Sequence, residues 1–423
     1  MSRSEVFSML QEKMTSEWRA IMTNESCRPA GIEIADDYCS RCAICVAVCP
    51  FEAISKDEEQ NKIILDVDEC RVCGLCVSAC PLSAIDLVYY DVDSLTKKVQ
   101  SEMAEKNAKN LVLECRGSNP VTLNIEDTLK DENLDNYVSL RLPCVGRIPP
   151  EFYLNNLAAG VEKILVLQCE EDFCRFKKGS KIGINRFELL KDTVNVLGYD
   201  PNNLIIKKNS LKAVYDTEKC VGCGKCVFIC PYDAITWKDA STPEIKTEDC
   251  MGCGACALVC PHQAIELRGY EFEPLSEIIR NCSSKAAKVK AQGKPAVLLF
   301  VCQWSEFSAL DEVQKGCLTD DITIIELPCA KGFDPFLVIE ALTVGYDGVM
   351  AVICPEEMCK LEEGTYLGER NFSALKVVLK QYNLENHFDS YRVSPKYPGE
   401  FKAKLEEFKK KISSIPKTEV ITK

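Results

Sequence analysis

Residues 39–50 read CSRCAICVAVCP: three cysteines stand two residues apart, a fourth follows after three further residues, and a proline ends the run. The same CxxCxxCxxxCP pattern starts again at Cys70, Cys220 and Cys250. Three thiolates at this spacing can surround one corner of a metal centre. The short apolar turn before the proline carries the fourth thiolate towards a neighbouring centre, so the recurrence of this run is the strongest indication of the fold.

The run is the ligand pattern of bacterial-type ferredoxins, in which the fourth cysteine ligates the other [4Fe-4S] cluster of the pair. Each pair of runs therefore predicts two [4Fe-4S] clusters, and the chain as a whole four. The crossing rule predicts these ligand sets: Cys39, Cys42, Cys45 and Cys80; Cys70, Cys73, Cys76 and Cys49; Cys220, Cys223, Cys226 and Cys260; and Cys250, Cys253, Cys256 and Cys230.

Structural zinc sites and disulfides are the alternatives for these cysteines. Zinc sites usually show two CxxC pairs with a long spacer, and they need neither a third close cysteine nor a following proline. Disulfides are disfavoured because 27 cysteines in 423 residues accompany no secretory leader pattern, which predicts a reducing, cytoplasmic location. No apolar stretch approaches the roughly 20 residues of a membrane span. The net charge of −13 argues against nucleic acid as a partner.

The rest of the chain is a tandem duplication with a second group of cysteines in each half. Short apolar runs end at Cys115, Cys144 and Cys169, and Cys174 follows shortly before a helical pattern. Such runs predict parallel strands, whose carboxyl ends meet at one edge of a sheet. We therefore predict one site per half: Cys115, Cys144, Cys169 and Cys174, and Cys302, Cys329, Cys354 and Cys359. A [2Fe-2S] cluster is the favoured occupant, while zinc, or no metal with the cysteines as small core residues, stays open.

Sequence motifs at these cysteines resemble the delta subunit of methyl-viologen-reducing hydrogenase. They include PCVGR at 143–147, LVLQCEEDFC at 165–174 and CPEEMC at 354–359, within similar regions at 110–208 and 296–394. The resemblance implies an α/β domain with a [2Fe-2S] centre that relays electrons from a hydrogenase or formate dehydrogenase into heterodisulfide reductase. Two features depart from the family pattern: Ser118 and Ser305 replace a second cysteine, and Arg175 and Lys360 replace a histidine.

The predicted fold class is α+β ferredoxin-like modules alternating with α/β parallel-sheet modules in a tandem duplication. The predicted order is an N-terminal helical extension at 1–34, a 2[4Fe-4S] ferredoxin domain at 35–90, a linker helix at 91–110, an α/β hydrogenase-delta-like domain at 111–208, a second ferredoxin domain at 212–270, a linker helix at 271–294, a second α/β domain at 295–394 and a C-terminal helical tail at 395–423. The stripe Phe401, Leu405, Phe408 and Ile412 in that tail is interpreted as intramolecular packing.

These features predict an electron-transfer subunit of an anaerobic oxidoreductase complex, with no catalytic residue of its own. FAD binding is not expected because no GxGxxG phosphate loop follows a strand. The expected partners are the flavoprotein and other subunits of a heterodisulfide-reductase-type complex, with a hydrogenase, a formate dehydrogenase or soluble ferredoxin. Two alternatives stay open: a disulfide or thiol reductase acting at the α/β-domain cysteines, and a structural iron-sulfur hub. No role is assigned to Cys27, Cys282 or Cys317.

Overall fold

The computed structural model describes residues 31–88, 91–117, 126–174, 176–209, 211–237, 242–302, 321–359, 361, 363–394 and 398–415. Most of the predicted extension at 1–34 lies outside these residues. The same holds for Cys27 and Cys317 and for the four positions that depart from the family pattern, Ser118, Arg175, Ser305 and Lys360.

The first cysteine-rich module alternates very short strands and helices. Its elements are β1 (Ile32–Ile34), α1 (Ile44–Val48), β2 (Ile54–Asp57), β3 (Lys62–Leu65), α2 (Leu75–Ala79) and β4 (Ile85–Leu87). Strands β1 and β4 pair antiparallel, as do β2 and β3. Helices α1 and α2 pack against each other, so the two cysteine runs that contain them lie side by side.

A four-stranded sheet with parallel strands forms the next module. Its elements are α3 (Val92–Lys106), β5 (Asn110–Cys115), α4 (Glu126–Asp131), β6 (Tyr137–Leu142), α5 (Pro150–Ala158), β7 (Lys163–Cys169), α6 (Gly179–Val196) and β8 (Leu204–Asn209). The strand order is β6-β5-β7-β8, and every pairing is parallel. Every residue of β5 is buried, as expected for a central strand of a sheet covered on both faces.

The second half repeats both modules. Its cysteine-rich part contains β9 (Ala213–Tyr215), α7 (Lys225–Ile229), β10 (Ile235–Thr236), β11 (Glu244–Ile245), α8 (Ala255–Val259) and β12 (Ile265–Leu267). Its α/β part contains α9 (Phe272–Ala291), β13 (Val297–Cys302), β14 (Ile322–Leu327), α10 (Phe336–Thr343), β15 (Gly348–Ile353), α11 (Gly364–Lys380), β16 (Phe388–Arg392) and α12 (Pro398–Ser414). The order β14-β13-β15-β16, again all parallel, matches the first sheet. The predicted parallel sheets are therefore confirmed.

Helix α12 covers one face of the second sheet. Its buried residues Phe401, Leu405, Phe408 and Ile412 belong to one apolar cluster with strand residues of β13 and β15. This cluster places the C-terminal stripe inside the second α/β module. None of the helices in the described ranges is both long and apolar enough to cross a membrane.

The two α/β modules meet through their edge strands β6 and β14. Arg141 and Glu326 stand 185 residues apart in sequence and are joined by a hydrogen bond of 3.0 Å. That separation is also the spacing of the strand-end cysteines that follow them, so the same position carries an arginine in one copy and a glutamate in the other. Arg116, with only 1% of its side chain exposed, adds a second contact to Glu326 at 3.3 Å. Burial raises the pKa of Glu326, but the two guanidinium groups outweigh it and the pKa is lowered.

Replacing the carboxylate that joins the two modules should destabilise the protein. We expect Glu326→Ala to lower the free energy of unfolding by about 3 to 5 kcal/mol, because it breaks a buried ion pair and removes the carboxylate that Arg116 and Arg141 share. Denaturant unfolding of the full chain measures the loss. Glu369→Ala, which removes the exposed ion pair with Arg392, is the control and should cost no more than about 1 kcal/mol. Equal losses in the two variants would contradict this account of the interface.

Candidate metal centres

Each cysteine run forms a loop in which residues with a left-handed backbone conformation (positive φ) alternate with residues of negative φ. In the first run Arg41 has φ 58° and Ala43 has φ 59°, and Gly222 and Gly224 have φ 70° and 69° at the equivalent positions of the third run. Val72 takes the same conformation, with φ 52°, which is rare for a β-branched residue. Alternation of this kind turns successive backbone N–H groups to one side and makes a concavity for an anion.

Backbone N–H groups donate to cysteine sulfurs at matched positions of the cysteine runs. Val72 donates to Cys70 at 3.4 Å, and Gly222 donates to Cys220 at 3.3 Å. After the fourth cysteine of a run, Ala84 donates to Cys80 and Ala264 to Cys260, each at 3.2 Å. Hydrogen bonds of this kind favour the charged thiolate over the thiol.

The structure brings the fourth cysteine of a run towards the neighbouring set. Cys49 and Cys70 both raise the pKa of Cys73, after the larger effect of burial, and the pKa of Cys73 reaches about 12. In the second half Cys230 acts on Cys256 in the same way, and Cys260 acts on Cys226. The structure thus places these cysteines near one another, and the assignment of each cysteine to one cluster stays a prediction.

The strand-end cysteines also come together. Cys115 and Cys169 lie at the ends of β5 and β7, Cys144 lies just after β6, and Cys174 lies in the loop before α6. The thiol of Cys115 is hydrogen bonded to those of Cys144 and Cys169, and that of Cys169 also to that of Cys174. All four side chains are buried.

The second strand-end set forms a similar network. It differs in that Cys329 is bonded to Cys359, whereas its equivalent Cys144 is bonded to Cys115. Cys354 is hydrogen bonded to Cys302 and Cys359, and Cys359 is also hydrogen bonded to Cys329. These bonds lower the pKa of Cys359 and raise that of Cys329. Each set is thus a closely coupled group of thiols and not four separate core residues.

Helix N-termini close both strand-end sites. Helix α6 starts at Gly179, and the Ser180 N–H donates to the Cys174 sulfur at 3.2 Å. A Cβ on Gly179 would lie 3.1 Å from the sulfurs of Cys144 and Cys174. At the start of α11, Thr365 donates to the Cys354 carbonyl at 2.9 Å. The positive end of each helix dipole therefore faces a group of thiols and favours negative charge there.

A buried cation stands between the two kinds of site in each half. Arg147, in the turn after Cys144, donates to the carbonyls of Val72 at 2.7 Å and Cys73 at 3.3 Å. Hydrogen bonding from Cys115 raises the pKa of Cys144, and Arg147 opposes that rise as it opposes the burial effect on Cys73.

Lys331 has the corresponding place in the second half. It follows Cys329, is 2% exposed, donates to the Leu361 carbonyl at 3.0 Å and opposes the burial-driven rise in the pKa of Cys253. The two cations are not evident from the repeat because they stand three and two residues after their cysteine, out of register in the duplication. A basic residue shortly after each Pro-Cys pair is the signal that could have found them.

The two sets of each cysteine-rich module differ in exposure. We call Cys39, Cys42, Cys45 and Cys80, and their equivalents Cys220, Cys223, Cys226 and Cys260, the outer sites. The other two sets are the inner sites. Cys42 and Cys223 of the outer sites are exposed, whereas Cys73 and Cys253 of the inner sites are buried. Tyr38, 71% exposed, and Phe228, 83% exposed, present apolar surface in the two modules.

The residues present fit iron-sulfur centres by their chemistry. In the part of the chain that the structure describes, no three His, Cys, Asp or Glu side chains are arranged around a single-ion position, so the fit rests on the donor sets. They are all-thiol groups lined by N–H donors, helix N-termini and buried cations. Burial and neighbouring thiols together raise the pKa of Cys76 and Cys256, and a cationic centre is what would stabilise such thiolates together.

Residues 111–221 and 297–415 match the protein family described as the delta subunit of methyl-viologen-reducing hydrogenase. Together these stretches cover more than half of the chain. The chain belongs to this family. Residues 31–81 and 213–267 each match a 4Fe-4S dicluster domain. The predicted resemblance is confirmed: the chain carries two copies of the hydrogenase delta module and two iron-sulfur dicluster domains.

Curated relatives of this delta-family protein include subunits of two heterodisulfide reductases and of one hydrogenase. One subunit of the ferredoxin:CoB-CoM heterodisulfide reductase of Methanosarcina mazei is 30% identical over 213 residues, which are 50% of this chain and 26% of that protein. The corresponding subunit of the ferredoxin/F420H2-dependent CoB-CoM heterodisulfide reductase of Methanosarcina acetivorans has the same identity and coverage. The iron-sulfur subunit of the F420-non-reducing hydrogenase of Archaeoglobus profundus is 29% identical over 96 residues, 22% of this chain and 69% of that one. The chain thus spans about a quarter of the two reductase subunits.

The start of α11 leaves no room for a side chain beside the second strand-end site. A Cβ on Gly364 would lie 2.7 Å from the Cys329 sulfur and 2.9 Å from the Cys359 sulfur. We expect Gly364→Ala to displace these thiols and lower the iron bound by this delta-family protein, as measured by iron analysis of the purified chain. Gly31→Ala, where an added Cβ meets nothing within 4 Å, is the control. Normal iron content in both variants would show that this helix start does not shape the site.

The charge of Arg147 should raise the reduction potential of the first inner site. Arg147→Met removes a buried positive charge beside Cys73 and disfavours the added electron. We expect the midpoint potential to fall by some tens of millivolts, given that a tenfold change in a one-electron equilibrium is about 59 mV. A redox titration followed by electron paramagnetic resonance (EPR) measures it. Arg147→Lys should stay near the wild-type potential, and equal shifts in both variants would mean that the cause is packing and not charge.

Proposed function

We propose that this chain is a multi-cluster electron-transfer subunit. In this proposal the outer and inner sites hold four [4Fe-4S] clusters, and the two strand-end sites hold [2Fe-2S] clusters. The matches to two dicluster domains support the [4Fe-4S] part, and the coupled thiol networks support the strand-end part. The predicted domain limits and ligand sets remain part of the proposal.

One observation carries the proposal: thiol sites adjoin one another from the surface to the interior. An outer site and an inner site share each cysteine-rich module, because helices α1 and α2, and α7 and α8, pack in pairs. The inner site then adjoins a strand-end site, since Arg147 acts on both Cys73 and Cys144. In the second half Cys253 lies in one apolar cluster with Cys302, Cys329 and Cys354. A continuous series of such sites is what electron conduction needs.

Besides supplying ligands, the protein has two tasks in this scheme: to exclude water and to stabilise negative charge. Iron-sulfur clusters, when bound, supply one-electron chemistry whose potential depends on hydrogen bonds, net charge and solvent exposure. Leu75 and Val77 exclude water from the first inner site. Backbone N–H groups and the buried cations stabilise the negative charge of the thiolates. Differences in these features between the sites would set the order of the reduction potentials along the series.

The exposed outer sites are the proposed contact points with partners. Cys42 and Cys223 reach the surface there, and the net charge of −13 favours partners with basic docking patches. The named relatives are subunits of heterodisulfide reductases and of a hydrogenase. By this similarity we propose a cytoplasmic complex in which electrons pass between a hydrogenase or dehydrogenase and a heterodisulfide-reductase-type flavoprotein. That FAD is bound by a partner and not by this chain remains a prediction.

Burial argues against the alternative of direct disulfide reduction. A thiol that attacks a disulfide must be accessible and partly ionised. Of the eight strand-end cysteines, seven are buried and Cys359 is only partly exposed. The electron-transfer proposal uses these same thiols as ligands, for which burial is an advantage.

Anaerobic iron and sulfide analysis tests the proposal. We expect about 20 iron atoms per chain, the sum of four cubane and two binuclear clusters. Cys144→Ala and Cys329→Ala should each remove only one binuclear EPR signal from the dithionite-reduced protein. A value near 16 iron atoms, with spectra unchanged in both variants, would restrict clusters to the cysteine-rich modules. Clusters that no donor can reduce would instead favour the structural hub.

A further inference from the structure

Lys212 contacts both the loop of the first strand-end site and the second inner site. Lys212, one residue before β9, donates to the Cys250 carbonyl at 3.3 Å and lies 3.3 Å from the centroid of the Phe173 ring. It also pairs with Glu170 at 3.8 Å. Glu170 and Phe173 belong to the short loop between Cys169 and Cys174. One lysine therefore connects a thiol-bearing loop of the first half to a thiol-bearing loop of the second.

The main chain next to Lys212 also contacts the Cys250 loop. The Ala213 N–H donates to the Cys250 sulfur at 3.4 Å. A Cβ on Gly252 would lie 2.3 Å from the Leu211 carbonyl oxygen. The chain that leaves the first α/β module thus runs directly along the Cys250 loop.

The other side of the second inner site contacts the second strand-end site. Cys253 and Ala255 belong to one apolar cluster with Cys302, Cys329 and Cys354. A Cβ on Gly332 would lie 2.8 Å from the Cys253 carbonyl oxygen. The second inner site therefore lies between the two α/β modules.

The first half has a different residue at the lysine position. Strands β1 and β9 begin at equivalent residues, Ile32 and Ala213, so Gly31 takes the place of Lys212. A Cβ on Gly31 would meet nothing within 4 Å. In the described parts of the chain, the contact that Lys212 makes with the other half is therefore specific to the second half and does not follow from the duplication.

We propose that the second inner site, formed by Cys230, Cys250, Cys253 and Cys256, is the junction at which the electron paths of the two halves meet, and that Lys212 positions the first strand-end site against it. The inference rests on the proposed function. Exchange across the junction is a one-electron transfer: the site that gives the electron is oxidised, its neighbour is reduced, and no bond or proton changes place. The electrons come from an external one-electron donor of the reduced-ferredoxin class.

Two matched ligand variants test the junction in the full chain. Cys250→Ala and Cys70→Ala remove the same position of the two inner sites. In the dithionite-reduced protein we expect Cys250→Ala to change the magnetic interaction, measured as EPR relaxation, at both binuclear signals. The interaction should be lost at the second signal and weakened at the first, which still adjoins the first inner site. Cys70→Ala should affect only the signal that Cys144→Ala removes. If Cys250→Ala alters only the signal that Cys329→Ala removes, the junction is disproved while the proposed function stands.

A variant that keeps every thiol tests Lys212 itself. We expect Lys212→Met to lower the midpoint potential of the second inner site and to weaken its interaction with the first binuclear signal. Lys212→Arg should retain both properties. An unchanged interaction in Lys212→Met would overturn the positioning role. A wild-type chain without binuclear signals would overturn the strand-end part of the proposed function and the junction with it.

Discussion

Mutual repulsion between ionised thiols in a dry interior is the constraint on which this structure depends. Burial raises the pKa of Cys76, and the neighbouring cysteines raise it further. The thiolates are stable together only where positive potential surrounds them. The left-handed loops, the starts of α6 and α11, and the buried Arg147 and Lys331 all provide it. Much of the local architecture follows from this requirement.

Duplication supplied two copies of each module, and divergence made them complementary. Arg141 and Glu326 occupy one position of the repeat but form an ion pair between the modules. Arg147 and Lys331 serve one task from different positions of the repeat. Gly31 and Lys212 differ at a position from which, among the described residues, only the second copy contacts the other half. The first and third of these pairs show that the two halves are adapted to one another within a single chain.

Much of the site was predictable because its signals are local or periodic. The cysteine spacing predicts loops that gather three thiols. The buried strands β5 and β13 were recognisable as short apolar runs ending in cysteine, and parallel pairing brings such ends to one edge. The packing of α12 was visible in its stripe from Phe401 to Ile412. The basic residues after the two Pro-Cys pairs are visible in the sequence, but their burial was not predictable, because a basic residue in a loop is exposed unless tertiary packing covers it.

The sequence by itself determined the parallel sheets and the grouping of cysteines into closely spaced runs, because ligand spacing and apolar periodicity act over a few residues. The number of clusters and their ligand sets remain part of the proposal. Only the tertiary structure decided which sites are neighbours. That Arg147 stands between Cys73 and Cys144, and that Lys212 joins Cys250 to the loop of Phe173, depends on how whole modules pack. Such contacts join residues far apart in the chain, and they form where the packing of the modules buries apolar surface and pairs opposite charges at the same time.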